Sequence, residues 1–185
     1  MITIRHLDAE ELEAGLERIL GSPNDKGSLE MIVRRPSVDA REVLKVGELD
    51  VDEVLLGDNW KARGSHMTND GASHPEMQLN LMNARVANLV AQTRERWPLA
   101  GDQLYVDLNL DPENLPPGTR LRLGEAEIEV TGIPHLGCSK FVARFGRDAM
   151  LFVNSRRGKC LNLRGIDARV VTGGRIATGD ALKKI

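Results

Sequence analysis

Short stretches in which apolar and polar residues alternate make up most of this sequence, and turns rich in glycine and proline separate them. Alternation of this kind has the period of a half-buried strand, in which successive side chains face opposite sides of a sheet. We therefore predict a mainly β protein with short helices, an α+β fold in which the strands close, or nearly close, into a small barrel. The predicted strands lie at residues 28–33, 42–46, 78–82, 104–108, 120–123, 127–131, 166–171 and 175–178.

Two pairs of these strands are joined by turns short enough for a β-hairpin. Gly124 and Glu125 form the turn between the fifth and sixth predicted strands. Residues 172–174, which include two glycines, separate the last two. Glycine-containing connections of this length are typical of hairpins, so we expect each pair to be antiparallel neighbours.

The predicted helices are few, and the chain divides simply. Asp8 and Asn83 each precede an apolar stripe of helical spacing and are predicted to cap a helix. Two further short helices are predicted at 139–145 and 148–153. We assign residues 1–27 to an N-terminal helix and linker, and residues 28–185 to a single barrel domain. The polar stretch at 57–76 is predicted to be a long surface loop, a kind of segment that often carries function.

The composition argues against two classes of partner. The 27 acidic and 25 basic residues leave a net charge of −2, whereas proteins that grip a nucleic-acid backbone usually carry a positive excess. No apolar run reaches the roughly 18 residues needed to span a bilayer, and the first residues lack the pattern of a signal peptide. The two cysteines fit a reducing compartment better than a disulfide scaffold. We expect a cytoplasmic protein that binds neither nucleic acid nor membranes.

Cys138 is the residue whose local sequence most favours chemistry. It lies between a loop that contains His135 and the start of a predicted helix. A thiol at a helix N-terminus is favoured in its thiolate form, and Lys140 and Arg144 would add positive charge nearby. Such a thiolate can attack, carry a persulfide, or bind a soft metal. The alternative is that Cys138 is a small apolar filler beneath the hairpin.

The second cysteine, Cys160, is predicted to be a strand residue, because the basic stretch around it has no evident helix start. The sequence is compatible with a disulfide between Cys160 and Cys138, which would make the chain a thiol-redox protein.

The motifs of the common metal and nucleotide sites are missing, whereas arginine-based anion binding is better supported. The sequence has no CxxC, HExxH, Walker loop, GxGxxG or GxSxG. A zinc site formed by His66, His74 and a cysteine is one alternative. Guanidinium groups bind phosphate and carboxylate in a bidentate manner, and arginines are concentrated in the C-terminal half. Arg63, Arg144 and Arg169 are the candidate anion ligands.

Several segments together resemble the MOSC family, named after the C-terminal domain of molybdenum-cofactor sulfurases. The run LPPGTRLRLGEAEIEVT at 115–131, followed by Cys138, is similar to the family's core. Other similar segments are LRGIDARVV at 163–171 with Gly174, Arg175, Ile176, Gly179 and Asp180 after it, GDNW at 57–60 with Arg63 and His66 after it, and GDQL at 101–104. The resemblance covers residues 43–180. Gly137 departs from it, since relatives commonly have proline before the cysteine.

The resemblance implies a MOSC-type β-barrel that binds the molybdenum cofactor, a phosphorylated pyranopterin, or a sulfur group at Cys138. In relatives this cysteine ligates molybdenum or is thought to carry a persulfide. Cys138 is therefore the expected catalytic and metal-binding residue. The expected cofactor-binding residues are Arg63, His135, Ser139, Lys140, Arg144 and Arg169.

Two activities follow from the resemblance. One is reduction of N-hydroxylated small molecules with a reductase partner, and the other is delivery of sulfur to the cofactor with a cysteine desulfurase partner. Pyridoxal phosphate is not expected on this chain, because in larger relatives its site belongs to a separate desulfurase domain. The alternative to both activities is a non-catalytic binding or carrier module for the cofactor or another phosphorylated ligand.

Overall fold

A computed structural model describes residues 5–185, and the first four residues of the predicted N-terminal segment lie outside them. Eleven strands and several short helices make up this part of the chain. The strands are β1 Lys26–Arg34, β2 Glu42–Leu44, β3 Val46–Asp50, β4 Val54–Leu55, β5 Leu79–Asn83, β6 Leu104–Asp107, β7 Arg120–Leu123, β8 Ala126–Val130, β9 Ile166–Thr172, β10 Gly174–Ala177 and β11 Ala181–Lys184. The helices are α1 Ala9–Ala14, α2 Leu16–Leu20, α3 Trp60–Arg63, α4 Ala84–Ala91, a 3-10 helix Arg94–Ala100, α5 Ser139–Phe145, α6 Arg147–Asn154 and α7 Arg156–Cys160.

Seven strands close into a barrel, as predicted. The order around it is β1, β6, β5, β9, β8, β7 and β11, and β11 pairs with β1 to complete the circle. Every pairing is antiparallel except that of β5 with β6, which the α4 crossover makes parallel. Closure leaves no free edge among these seven strands. The short strand β2 extends β1 outside the circle, and β10, β3 and β4 form a separate three-stranded sheet.

Two apolar cores stabilise the fold, one inside the barrel and one between the barrel and its helices. Strand β1 contributes to both, because Leu29 and Ile32 face the interior whereas Met31 and Val33 pack beneath the helices. A register shift between Leu29 and Met31 allows this arrangement. Tyr105 lies fully buried in the outer core. Apolar side chains are therefore buried on both faces of the barrel wall, inside the barrel and beneath the helices.

The predicted helix caps are present. Asp8 accepts a hydrogen bond from the Glu11 amide and forms a complete capping box before α1. Asn83 accepts from the amides of Arg85 and Val86 at the start of α4. Helices α1 and α2 bury leucines in the outer core, so the N-terminal segment packs against the barrel domain. No helix within residues 5–185 is long and apolar enough to cross a membrane.

The predicted C-terminal hairpin is wrong. β9 lies in the barrel between β8 and β5, whereas β10 leaves it and pairs with β3. At Gly174 the chain passes so close to the β7–β8 turn that a Cβ would lie 2.7 Å from the carbonyl carbon of Glu125. The two glycines thus permit a close crossing rather than a hairpin turn. The sequence analysis also missed β11, which closes the barrel.

The stretch around Cys160 is helical and not a strand. Ser155 accepts a hydrogen bond from the Gly158 amide, caps α7, and supplies the helix start that the sequence analysis did not recognise. Cys160 is the last residue of this helix and is exposed. The predicted loop at 57–76 is mostly irregular, but it contains the short helix α3.

Candidate functional site

A cleft of about 590 Å³ opens beside the loop that leads into α5. Segments far apart in the sequence line it: the turn after β1, α3 and the residues after it, the start of β5, the end of the 3-10 helix, and α5. Five of the seven residues expected from sequence to form the site line this cleft, namely Arg63, His135, Cys138, Lys140 and Arg144. The barrel therefore brings together groups that the sequence separates by as much as 81 positions (144 − 63).

Cys138 is the N-cap residue of α5, as the sequence predicted. Its backbone carbonyl accepts hydrogen bonds from the Phe141 and Val142 amides, at 2.9 and 3.1 Å. Its thiol makes no capping bond, forms no disulfide and is exposed. The alternative of an apolar filler beneath the hairpin is therefore wrong. The thiol thus stands at the start of α5, beside the basic side chains of Lys140 and Arg144 that line the same cleft.

The loop before Cys138 is fixed by a side chain of α6. Asn154 Oδ1 accepts a hydrogen bond from the Gly137 amide at 2.8 Å, and Asn154 Nδ2 donates to the Gly137 carbonyl at 2.9 Å. A Cβ at position 137 would lie 3.2 Å from Val153. The paired hydrogen bonds thus hold the backbone where relatives of the resembled family commonly have proline.

The cleft is strongly positive. Six permanently basic side chains line it, against one carboxylate, that of Asp39. The six are Arg35, Arg41, Arg63, Lys140, Arg144 and Arg164. Asp39 lies 3.2 Å from Arg144 and 3.5 Å from Lys140, so one acid serves two cations. The cleft carries this excess although the whole chain is slightly acidic.

Two of these arginines have no acidic partner within residues 5–185. Arg41 donates only to the backbone carbonyls of Ala40 and Pro98, and Arg63 makes no side-chain hydrogen bond in that range. Burial, with repulsion from Arg144 and Arg35, lowers the pKa of the Arg41 guanidinium. Reduced hydration and Arg35 lower the pKa of Arg63 in the same way. An anion bound between them would relieve this repulsion.

A buried ion pair underlies each side of the cleft. Arg35 donates to both carboxylate oxygens of Asp58, at 2.9 and 3.0 Å, and to the Asn80 side chain. Arg164 Nη1 donates to both oxygens of Asp102, at 2.8 and 2.9 Å. Because these two arginines are neutralised, they shape the cleft, and its uncompensated charge comes from the other four basic side chains.

His135 connects two buried carboxylates beneath the cleft. Its Nε2 lies 3.1 Å from Asp102 Oδ1, and its Nδ1 lies 3.5 Å from Asp167 Oδ1. Burial favours the protonated form of Asp102, but Arg164 and His135 outweigh it and lower the pKa of that carboxyl to about 2. Burial raises the pKa of Asp167, whose Oδ1 accepts from Asn80 and whose Oδ2 is buried without a partner in the described chain. The pKa values of the two acids are thus shifted in opposite directions, that of Asp102 downward and that of Asp167 upward.

Two of the expected residues lie outside the cleft. Ser139 is the first residue of α5 and is exposed, but it does not line the cavity. Arg169 lies on the exposed side of β9, where it pairs with Glu129 of β8. The strand pattern places Arg169 between buried neighbours and therefore on the opposite face from the interior.

The arginine–aspartate pairs and Arg41 were not predicted from the sequence. Asp102 and Arg164 stood in segments that resemble the family, but neither was chosen as a functional residue. Arg35 stood before a proline that marks the end of β1. The zinc alternative gains no support, because no group of three or more His, Cys, Asp or Glu side chains within residues 5–185 is placed to hold a metal ion. His66 lines the cleft without such partners.

Comparisons with known proteins agree with this architecture. The MOSC domain family matches residues 74–183, more than half of the chain. YuaD from Bacillus subtilis superposes with a TM-score of 0.60 at 15% identity, over 86% of this chain and 95% of that one. YiiM from Escherichia coli gives 0.54 at 21% identity, over 85% and 69%. No curated protein sequence matches significantly. The two structures share the fold of this chain, and the match of the family model over more than half of its length establishes that the chain is a member of the MOSC domain family.

Proposed function

We propose that this protein binds the molybdenum cofactor in the positive cleft, with the Cys138 thiolate as the protein ligand to the metal. One observation carries the proposal: the Cys138 thiol is exposed, forms neither a capping hydrogen bond nor a disulfide, and lines a cavity. The same cavity is lined by six basic side chains and one acidic side chain. A soft metal favours thiolate, and a phosphorylated group favours arginine. The cleft offers both to one ligand.

The phosphate of the cofactor fits the arginines that lack acidic partners. Arg41 and Arg63 are permanently charged, are not neutralised by carboxylates within the described chain, and have lowered pKa values. Arg144 and Lys140 share a single exposed acid, Asp39. We expect Arg41 and Arg63 to take the phosphate, because only an anion from outside removes their mutual repulsion.

The rim of the cleft fits the flat pterin ring. Three large apolar side chains that line the cavity are exposed, with Val38 at 72%, Met67 at 52% and Leu136 at 47%. Apolar groups of this size beside a charged cavity can cover a planar heterocycle from water. The arrangement, arginines within and apolar groups at the edge, suits a ligand with a phosphate at one end and a ring at the other.

The buried acid Asp167, with His135 beside it, gives the chain a means of holding a proton for a reduction. When bound, the cofactor supplies two-electron reduction and accepts an oxygen atom. Converting an N–OH group to N–H and water consumes two electrons, from a reductase partner, and two protons. Because Asp102 is ionised, His135 donates from Nε2, which leaves Nδ1 facing Asp167. The raised pKa of Asp167 favours a proton at that end. His135, which also lines the cleft, would thus connect this proton to the cavity.

Sulfur delivery is the second candidate, and the exposure of Cys138 favours it. A partner can reach this thiol directly, as transfer from a desulfurase requires. In that case Cys138 would carry the terminal sulfur of a persulfide, and an acceptor thiolate would attack that sulfur and release the Cys138 thiolate. This candidate predicts a sulfane-sulfur adduct on protein that contains no molybdenum.

The test is the molybdenum and pterin content of protein co-expressed with cofactor synthesis. We expect near-equimolar metal and pterin in the wild type and at least a tenfold loss of metal in Cys138→Ala. Cys160→Ala is the matched control, because Cys160 is also exposed but lies at the end of α7. Wild-type protein with neither component from a cofactor-replete host would contradict stable cofactor binding. A sulfane-sulfur adduct on that protein would favour the second candidate.

A further inference from the structure

A second cavity, of about 450 Å³, lies on the other side of the loop that bounds the positive cleft. Pro134, His135, Leu136 and Arg164 line both cavities, so this short segment and one arginine form the wall between them. The size lies within the range of roughly 300–1,000 Å³ that is usual for small-molecule sites. We call this cavity the apolar pocket. Cys138 and the unpartnered Arg41 and Arg63 of the proposed cofactor site do not line it.

The walls of the apolar pocket are hydrophobic on several sides. Branched side chains from the barrel, the loop and α6 line it, namely Leu115, Val130, Ile133, Leu136, Val153 and Ile166. Two further prolines, at 112 and 117, close the side formed by the β6–β7 connection. A ligand seated here would bury an apolar body, and such burial is the main source of affinity in sites of this kind.

The polar groups of the apolar pocket carry one uncompensated positive charge. Lys159 lines the pocket and is exposed, and its side chain has no hydrogen-bond or ion-pair partner within residues 5–185. The other permanent cation, Arg164, is neutralised by Asp102, although its buried Nε lacks a partner in the described chain. No aspartate or glutamate lines the pocket. The electrostatics therefore favour a single negative charge at the Lys159 side.

We propose that the apolar pocket binds small molecules with an apolar body and one anionic head, of the class of medium-chain carboxylates, with the head at Lys159. The apolar walls would take the chain, and the lysine would select the anion over a neutral or cationic head. The proposal does not rest on the proposed cofactor, since the pocket contains neither Cys138 nor the unpartnered arginines of the cleft.

The test compares octanoate with octan-1-ol and octylammonium, which have the same chain and different heads. NMR titration of methyl-labelled protein with each compound gives the dissociation constant, and the methyl groups whose chemical shifts change give the location of the ligand. We expect shifts at the methyl groups of Ile133 and Val153, and octanoate binding at least about threefold tighter than octanol, as a partly exposed ion pair predicts. Shortening octanoate to heptanoate should weaken binding about fourfold, because one buried methylene is lost. Equal affinity for the three heads, or shifts confined to other surfaces, would overturn the proposal.

Two variants and a control complete the test. Lys159→Gln changes an exposed residue, so the variant should fold normally. Because it lacks the cation that binds the anionic head, it should lose the preference for octanoate over octanol. Ile133→Trp should fill the pocket and abolish binding of both. Arg41→Gln, on the cleft side of the wall, should leave octanoate binding unchanged. If Lys159→Gln retains the preference, or if Arg41→Gln loses octanoate binding, the head does not lie at Lys159 and the proposal fails.

Discussion

Arg164 Nη1 lies within hydrogen-bond distance of both carboxylate oxygens of Asp102, and both side chains are buried. The same carboxylate accepts from His135, so a single ionised group fixes the arginine and the imidazole. Asp102 follows the 3-10 helix and Arg164 precedes β9. Their pairing therefore ties two separate connections of the barrel together beneath the cleft.

Removing the Asp102 charge should destabilise the protein strongly. Asp102→Asn leaves the buried Arg164 guanidinium without its counter-charge, and breaking a buried pair in this way costs about 3–5 kcal/mol. Chemical denaturation would measure this loss in the free energy of unfolding. Asp39→Asn is the control, since Asp39 is exposed and its loss should cost less than about 1 kcal/mol. Equal stabilities of the two variants would show that the Asp102 pair is energetically unimportant.

The stability should fall in acid because of the same residue. The pKa of Asp102 is about 2 in the folded protein and 3.8 in its ordinary state, so the unfolded chain binds the proton more readily. The contribution is present above pH 4 and is lost as the pH falls from about 4 to 2, and it amounts to about 2 kcal/mol. The contribution of Asp167 to stability has the opposite sign, because its pKa is raised in the folded protein. This contribution is lost as the pH rises through the raised pKa. Unfolding curves between pH 2 and pH 5 should show a shallower dependence in Asp102→Asn than in the wild type. A dependence as steep in the variant would refute this assignment.

Substituting an unpartnered arginine should weaken anion binding without loss of stability. Arg41→Gln removes a charge that Arg144 and Arg35 repel, which offsets the loss of the hydrogen bonds to the Ala40 and Pro98 carbonyls, so its melting temperature should stay close to that of the wild type. Its affinity for inorganic phosphate, measured by calorimetry at low salt, should fall about tenfold, because a hydrogen bond to a charged group is lost. Arg169→Gln, outside the cleft, should bind phosphate as the wild type does. Equal weakening by both variants would indicate a general charge effect rather than a site.

The clamp between Asn154 and Gly137 should hold the loop of Cys138 in place. Asn154→Ala removes both hydrogen bonds and should cost about 1–3 kcal/mol, with faster exchange of the Gly137 amide. Gly137→Pro should also destabilise the loop, even though relatives commonly have proline there. Proline has no backbone N–H, so the hydrogen bond to Asn154 Oδ1 is lost. Hydrogen exchange and denaturation would measure both effects. Unchanged Gly137 exchange in Asn154→Ala would remove this role of the clamp.

The barrel was predictable from sequence because most of its strands have a local signature. β7 alternates buried and exposed residues, β8 alternates buried and half-buried ones, a tight glycine turn joins them, and both were predicted close to their bounds. The pairing of β9 with β10 was predicted wrongly, because a short connection that contains glycine has the same local sequence whether the chain turns back or crosses to another sheet. β11 has only four residues, and its pairing with β1 joins positions about 155 apart. Local patterns do not encode such a contact.

The candidate site divides in the same way. Cys138 and the helix start beside it are local features, and both were predicted. The pairing of Asp102 with Arg164 joins residues 62 positions apart, and the sequence shows no sign of which aspartate meets which arginine. Arg169 was chosen because a charge between buried neighbours stands out in a strand. The sequence of β9 alone does not show that Glu129 of the neighbouring strand lies beside Arg169 on the exposed face and pairs with it.

The most direct test of the account is the sulfur coordination of molybdenum in the loaded wild-type protein, measured by X-ray absorption at the molybdenum edge. The account predicts one sulfur neighbour at a thiolate single-bond distance in addition to the dithiolene pair of the pterin, contributed by Cys138. A spectrum that contains only the dithiolene sulfurs, on protein with equimolar metal and pterin, would contradict the claim that Cys138 is the ligand.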